Sequence, residues 1–250
     1  MFFNLMMILI LVAPFPAIYS AISRRVKPYT AIGYGITAGS VAILVVFAVA
    51  FLSGQSFGDQ MDKGIDYAVN TLVQNKEALK SLGFEELSTA KATALLTDAY
   101  KSMAVLLPSV FIILVTIVSY IEYNLTVKIR YSQSSGYVPC AYLRNFVLRS
   151  NDVMGWFIIY LVSYLMKFAG ISIGEVAVMN INVLINTVIS IQAMGLIFFV
   201  TYVKRRPRIL AIVLSGLMWI FPMGRMGLFM IGLFDLLLNI RGKIREEYKN

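Results

Sequence analysis

The sequence predicts an all-α polytopic membrane protein with about five transmembrane helices, a C-terminal helical hairpin and an extracytoplasmic two-helix insertion. Three observations carry this reading. Apolar residues make up 59% of the 250 residues against 14% charged, and mean hydropathy is +0.77. A soluble domain carries nearer a quarter charged residues. The apolar residues stand in long blocks, with no even spread at core periodicity, and the basic residues concentrate in short segments between those blocks.

Composition also removes several chemistries. There is no histidine, and Cys140 is the only cysteine. A structural zinc site, a Ser-His-Asp triad and an intramolecular disulfide therefore all lack their residues. The sequence carries no P-loop, H-E-x-x-H, G-x-S-x-G or clustered acidic metal motif. The expectation is a protein that is not an enzyme, with no cofactor and no metal. The 22 Lys and Arg against 13 Asp and Glu give a formal charge of +9. In a membrane protein that excess points to loops near anionic lipid and not to nucleic acid.

Residues 1–52 hold the first two spans. The first extends to about Ile22 and is interrupted by Pro14 and Pro16, which remove two backbone donors and kink or break the helix. Residues 1–12 lack the basic leader and small-residue cleavage site of a signal peptide, so a retained helix is expected. Arg24, Arg25 and Lys27 form a basic turn, and a second span follows over about residues 30–52. Gly35 and Gly39 make a G-x-x-x-G pair in it, a pattern that lets helices approach closely.

Residues 53–102 are polar and of mixed charge. Ile65, Val69, Leu72, Val73, Leu79 and Leu82 keep helical spacing, Gly83 ends that helix, and Phe84, Glu85, Glu86, Leu87 and Ser88 introduce a second. The second is expected to continue directly into the next span.

Residues 103–250 hold the remaining helices. A third span covers about residues 103–127, with Pro108 near its start. A basic loop follows over about 128–152, with Arg130, Arg144, Arg149 and the flexible run 132–136. The fourth and fifth spans cover about 153–168 and 176–202, joined by a turn over 170–174. Lys204, Arg205, Arg206 and Arg208 close the fifth. Residues 209–240 are one tilted helix or two short helices broken at Pro222, Gly224 and Gly227; the hairpin returns Arg241, Lys243, Arg245 and Lys249 to the side of the other basic segments. By the positive-inside rule the N-terminus and residues 53–102 are outside and the C-terminus is cytoplasmic.

Polar residues inside the spans are the candidate sites. Asn182, Asn186 and Ser190 share one face of the fifth span, with Ala193 extending it. That face bonds a neighbouring helix or lines a solute-binding wall. Asn180 and Gln192 fall elsewhere on the helix. Glu122 bridges to a basic residue such as Arg130 or Arg144, or reaches the interface, or acts in proton relay or coupling. Asp235 and Arg225 neutralise one another across the hairpin, or Asp235 pairs near the membrane face with Asn239 and Arg241. Ala13, Ala17 and Ala21 form a small-residue stripe that packs within the chain or against a partner helix.

Together these pieces resemble the YybS-like family of predicted bacterial membrane proteins. They are Val12 to Ala17 with the basic turn and Gly-rich helix, Leu106-Leu107-Pro108, and Gly232-Leu233-Phe234-Asp235 with Arg241. Members of that family are usually longer, with extra helices before the polar segment. The family is similar in general pattern to the S-components of energy-coupling-factor vitamin transporters. The resemblance implies a bacterial cytoplasmic membrane protein that binds or takes up a small solute with transporter coupling subunits or other membrane partners. In S-components an Ala-x-x-x-Ala surface on the first helix docks the coupling subunit, which the stripe from Ala13 to Ala21 resembles. The alternative function is a non-transporting membrane scaffold that recruits envelope or cytoplasmic partners through its basic loops. Because the resembling tail includes Asp235, that residue is the first to mutate.

Overall fold

The computed structural model describes residues 2–53, 57–84, 87–131, 139–148 and 150–247. The run 132–136, Glu85, Glu86, Arg149 and Lys249 lie outside them, as does the Arg130 side chain. Regular structure among the described residues is helical throughout, as expected of an all-α membrane protein.

Helices α1 (Phe2–Val12) and α2 (Pro14–Ser23) together make a single apolar span over Asn4–Ser23. The two prolines fall in the first turn of α2, where a missing N–H is least costly. Ala13 stays in right-handed helical geometry, and its N–H still reaches Leu9 O at 2.9 Å. The chain turns through Arg25, held at φ 56, into α3 (Pro28–Leu52).

α3 packs against α2 and against α7 (Leu107–Tyr131). The expected close approach is there: a Cβ on Gly35 would lie 2.6 Å from Ile18 Cδ1, and one on Gly39 2.6 Å from Val115 Cγ1. Met6, Ile10, Ile43, Phe111 and Val115 fill one half of this layer. Ile18, Ala21, Ile22, Ala31, Ile32, Tyr123 and Val127 fill the other. In lipid, such contacts stabilise through close packing, since the surroundings are as apolar as the core.

The polar insertion is made of α4 (Phe57–Gln74), α5 (Lys76–Ser81) and α6 (Thr89–Val105). Its core is Ile65, Val69 and Leu96, with Leu72, Val73 and Leu79 against it. The first helix of the expected pair is broken at Asn75, because that side chain caps a new start, accepting from the N–H groups of Glu77 and Ala78 at 3.1 Å. Gly83 ends α5 at φ 74 as expected, while Leu82 is exposed.

The second half wraps around α9 (Ser172–Val203), whose 32 residues rise about 48 Å. α8 (Ser150–Phe168) lies along it, joined through Gly170 at φ 76 and the Lys167–Glu175 ion pair at 3.3 Å. Among the described residues, four helical segments are long and apolar enough to cross a bilayer, or five with the bent pair described next. The apolar run Val153–Phe168, expected as the fourth full span, is shorter than the roughly 20 residues a crossing needs.

The bent pair is α10 (Arg208–Ile220) and α11 (Pro222–Leu238), which meet at 116°. Phe221 between them is extended, at φ −83 and ψ 134, the conformation that a following proline imposes. Arg208 at the start of α10 lines the same cavity as Arg144, and Arg241 beyond α11 bonds back to the Phe146 carbonyl. Both ends of the pair therefore meet the 143–146 segment, as in the hairpin and unlike a single tilted span. The Tyr29 hydroxyl also reaches Tyr142 O at 2.5 Å. The turns after α2, α9 and α11 and the 139–148 segment thus share one basic end of the bundle, while α4 to α6 attach at the other.

Candidate functional site

Two polar constellations are built on α9, one on each flank. The first is the face the spacing picked out. Asn186 and Ser190 line a cleft of about 380 Å³, closed on the far side by Trp219 of α10 and by Arg225, Met226 and Phe229 of α11. The bend at Phe221 positions these last residues: it ends α10 and restarts α11 so that Arg225 lies within the first turns of the new helix. The Arg225 guanidinium sits 5.5 Å from the Trp219 ring centroid, close enough for a cation–π contact.

Asn182 belongs to the cleft only indirectly. It is exposed, and its side-chain oxygen accepts from Asn186 Nδ2 at 3.0 Å, while the same nitrogen reaches the Asn182 carbonyl at 2.9 Å. Those two bonds hold the Asn186 amide along the helix with its own oxygen directed away from Asn182. Ser190 is buried. The cleft thus offers an amide, a hydroxyl and a guanidinium around an indole, a set able to hold a small polar molecule with an anionic group.

The second constellation surrounds Asp235. It does not pair with Arg225, which is exposed and on the other flank. Its partner is Arg241, whose Nε lies 3.0 Å from Asp235 Oδ2. This is a short ion pair without hydrogen-bond alignment at Nε. Gln192 Nε2 donates to the same carboxylate oxygen at 2.6 Å, and the Arg241 N–H lies 3.3 Å from Oδ1. Arg241 also donates to the carbonyls of Phe146 and of Gln192, the latter at 2.6 Å. The Gln192 side-chain oxygen in turn accepts from Leu148 N at 3.1 Å. Asp235, Arg241 and Gln192 are all buried.

Local backbone makes this arrangement possible. Asn239 ends α11 at φ 47, so the chain turns and Arg241 points back into the bundle. Gly195 lets the loop approach, since a Cβ there would lie 2.8 Å from Leu143 O and 2.9 Å from an Arg241 guanidinium nitrogen. Gly232 does the same for α11, whose path brings it against the Ile189 carbonyl. Burial lowers the pKa of Arg241 from its ordinary value, and the Asp235 carboxylate opposes that shift. The network ties α9, α11, α12 (Ile240–Glu247) and the 143–148 segment together, and so has the character of a structural lock.

The other candidates are placed as follows. Glu122 forms no ion pair among the described residues, and its Oε2 is buried without a hydrogen-bond partner there. Arg144 instead stacks on Tyr202 and Tyr142, at 3.9 and 4.8 Å. Ala21 is buried in the chain's own core, while Ala13 and Ala17 are half-buried. Phe15 and Tyr19 are exposed on α2.

The helical spacing did not single out Asn180, Gln192 or Gly195. The usable signal lay in the residues' chemistry, since an amide inside an apolar span needs partners whichever way it faces.

A family model described as "Predicted membrane protein (DUF2232)" matches residues 1–236. No curated protein and no solved structure matches the chain.

Proposed function

We propose, from the premise that the chain belongs to this family of predicted membrane proteins, that it binds a small anionic solute between α9 and the α10–α11 bend. The convergence of Asn186, Ser190 and Arg225 on one cleft carries the reading. A guanidinium with no carboxylate partner among the described residues, set in an otherwise apolar span pair, calls for a negative group from outside the chain. No energy source is visible in the sequence, so uptake would need partner subunits, in the manner of the S-components that the YybS-like pattern resembles. The basic end is then the cytoplasmic one of a bacterial membrane, with the N-terminus and the α4–α6 insertion outside.

The test is ligand retention. Native mass spectrometry of the detergent-purified protein is expected to find a co-purified small anion, and Asn186→Leu to lose it with little change in thermal stability. One lost hydrogen bond to a desolvated ligand weakens affinity roughly 5- to 150-fold. Loss of one amide from a membrane packing interface costs only about 0.6 kcal/mol, and at most about 2. A protein that always purifies with the cleft empty, and whose stability collapses on Asn186→Leu, would turn the stripe into packing. It would favour a scaffold acting through the basic loops.

A further inference from the structure

The basic end of the bundle holds a second cavity, of about 480 Å³, at the first turn of α10, whereas the solute cleft lies at its last turn. Arg205, Arg206 and Arg208 line it from the α9–α10 turn, and Arg144 from the loop that the Arg241 network holds in place. None of these four has a carboxylate within ion-pair distance among the described residues. Arg205 sits at φ 50 in the left-handed region, so the turn itself is bent to bring consecutive arginines to the rim. Arg144 is oriented by stacking on Tyr202. α10, thirteen residues long, also starts here, and Pro207 leaves its first N–H groups without a side-chain cap.

Four uncompensated cations repel one another unless an anion sits between them. The wall below them is apolar: Phe198, Leu143 and Ala211 continue the cavity toward the spans. Tyr142 and Tyr202 stand at the level where the spans end, the position of an aromatic belt. We infer that this cavity is a binding site for a phosphate group, carried by an anionic phospholipid or supplied free in solution. Guanidinium groups bind phosphate oxygens in bidentate fashion, and a helix start adds backbone donors. The inference is independent of the solute reading, because the two cavities share no residue.

The test uses the intact protein in mixed micelles, with bound lipid counted by native mass spectrometry. Wild type is expected to retain phosphatidylglycerol in preference to phosphatidylcholine. The exposed pair Arg205→Gln/Arg206→Gln is expected to weaken that retention roughly 30-fold. A control pair on the polar insertion, Lys63→Gln/Lys80→Gln, is expected to leave it unchanged. Displacement of the lipid by millimolar inorganic phosphate assigns the site to free phosphate, and persistence of the lipid assigns it to a headgroup. Equal retention of the two lipids, or equal loss in the control pair, would overturn the site in favour of unspecific charge attraction. An unchanged melting temperature in both pairs keeps folding out of the comparison.

Discussion

The amide of Asn180 is inserted into the backbone ladder next to Ser109. Its Oδ1 accepts from Ser109 N at 2.9 Å while its Nδ2 donates to Val105 O at 2.8 Å. In an unbroken helix those two backbone groups would bond each other. Pro108 prevents this, since its ring cannot follow the preceding turn without clashing. α6 accordingly ends at Val105 and α7 begins at Leu107, and the side chain of α9 replaces the missing rung. The expectation that the insertion continues directly into the third span is thus met except at this one joint.

The joint makes a double-mutant prediction. Asn180→Leu leaves Ser109 N and Val105 O unbonded at a buried site, and is expected to lower stability by about 1–2 kcal/mol. Pro108→Ala allows the backbone rung to close, after which Asn180 has less to do. The cost of Asn180→Leu should therefore shrink in the Pro108→Ala background, giving a coupling of about 0.5 kcal/mol or more. Thermal unfolding of the four proteins in one detergent reads it. Strict additivity would mean that Asn180 does not act through the Pro108 break.

A larger effect is expected at the buried ion pair. Asp235→Ala leaves the Arg241 charge uncompensated, a change that costs about 3–5 kcal/mol at buried sites. Arg241→Met removes the donors held by the Phe146 and Gln192 carbonyls, so the 143–148 segment loses its tether through Arg241 and keeps the Leu148 N–H bond to Gln192 of α9. Both variants should expose the chain to trypsin after Arg144 and lower the melting temperature. Asp235→Leu combined with Arg241→Met should cost clearly less than the two single losses added together. A trypsin pattern unchanged in all three variants would show that the loop is held by something other than this network.

How much of this was legible depended on how many sides of a helix are covered. α3 and α4 each bury one face, and there the spacing worked. Gly35 and Gly39 sit against α2 and α7, and Ile65 and Val69 form the core of the insertion. α9 is contacted by α7, α8, α10 and α11, so its polar residues on different faces all find partners. A stripe argument selects one face and necessarily drops the others. It kept Asn186 and Ser190 and passed over Asn180 and Gln192, the two amides with the longest-range bonds. The pairing of Asp235 was half legible. Arg241 stood among the options, but the choice over Arg225 depended on the left-handed turn at Asn239, which no spacing rule anticipates.

The last prediction concerns the return of the C-terminal pair. If α10 and α11 enter and leave at the basic end, Lys204 and Lys243 lie on one side of the membrane and Lys80 of α5 on the other. All three lysines are exposed, so each accepts a substitution with little effect on the fold, usually within about 0.5 kcal/mol. Single cysteines at these positions, in a Cys140→Ser background, can be probed with a membrane-impermeant thiol reagent. Lys80→Cys is expected to label in intact cells, and Lys204→Cys and Lys243→Cys only after permeabilisation. The comparison of Lys204 with Lys243 isolates the hairpin, because a single tilted helix over 209–240 would put them on opposite sides whatever the overall orientation. Labelling of Lys243→Cys together with Lys80→Cys in intact cells would therefore remove the hairpin. It would also separate Arg241 from the 143–148 segment to which it is bonded.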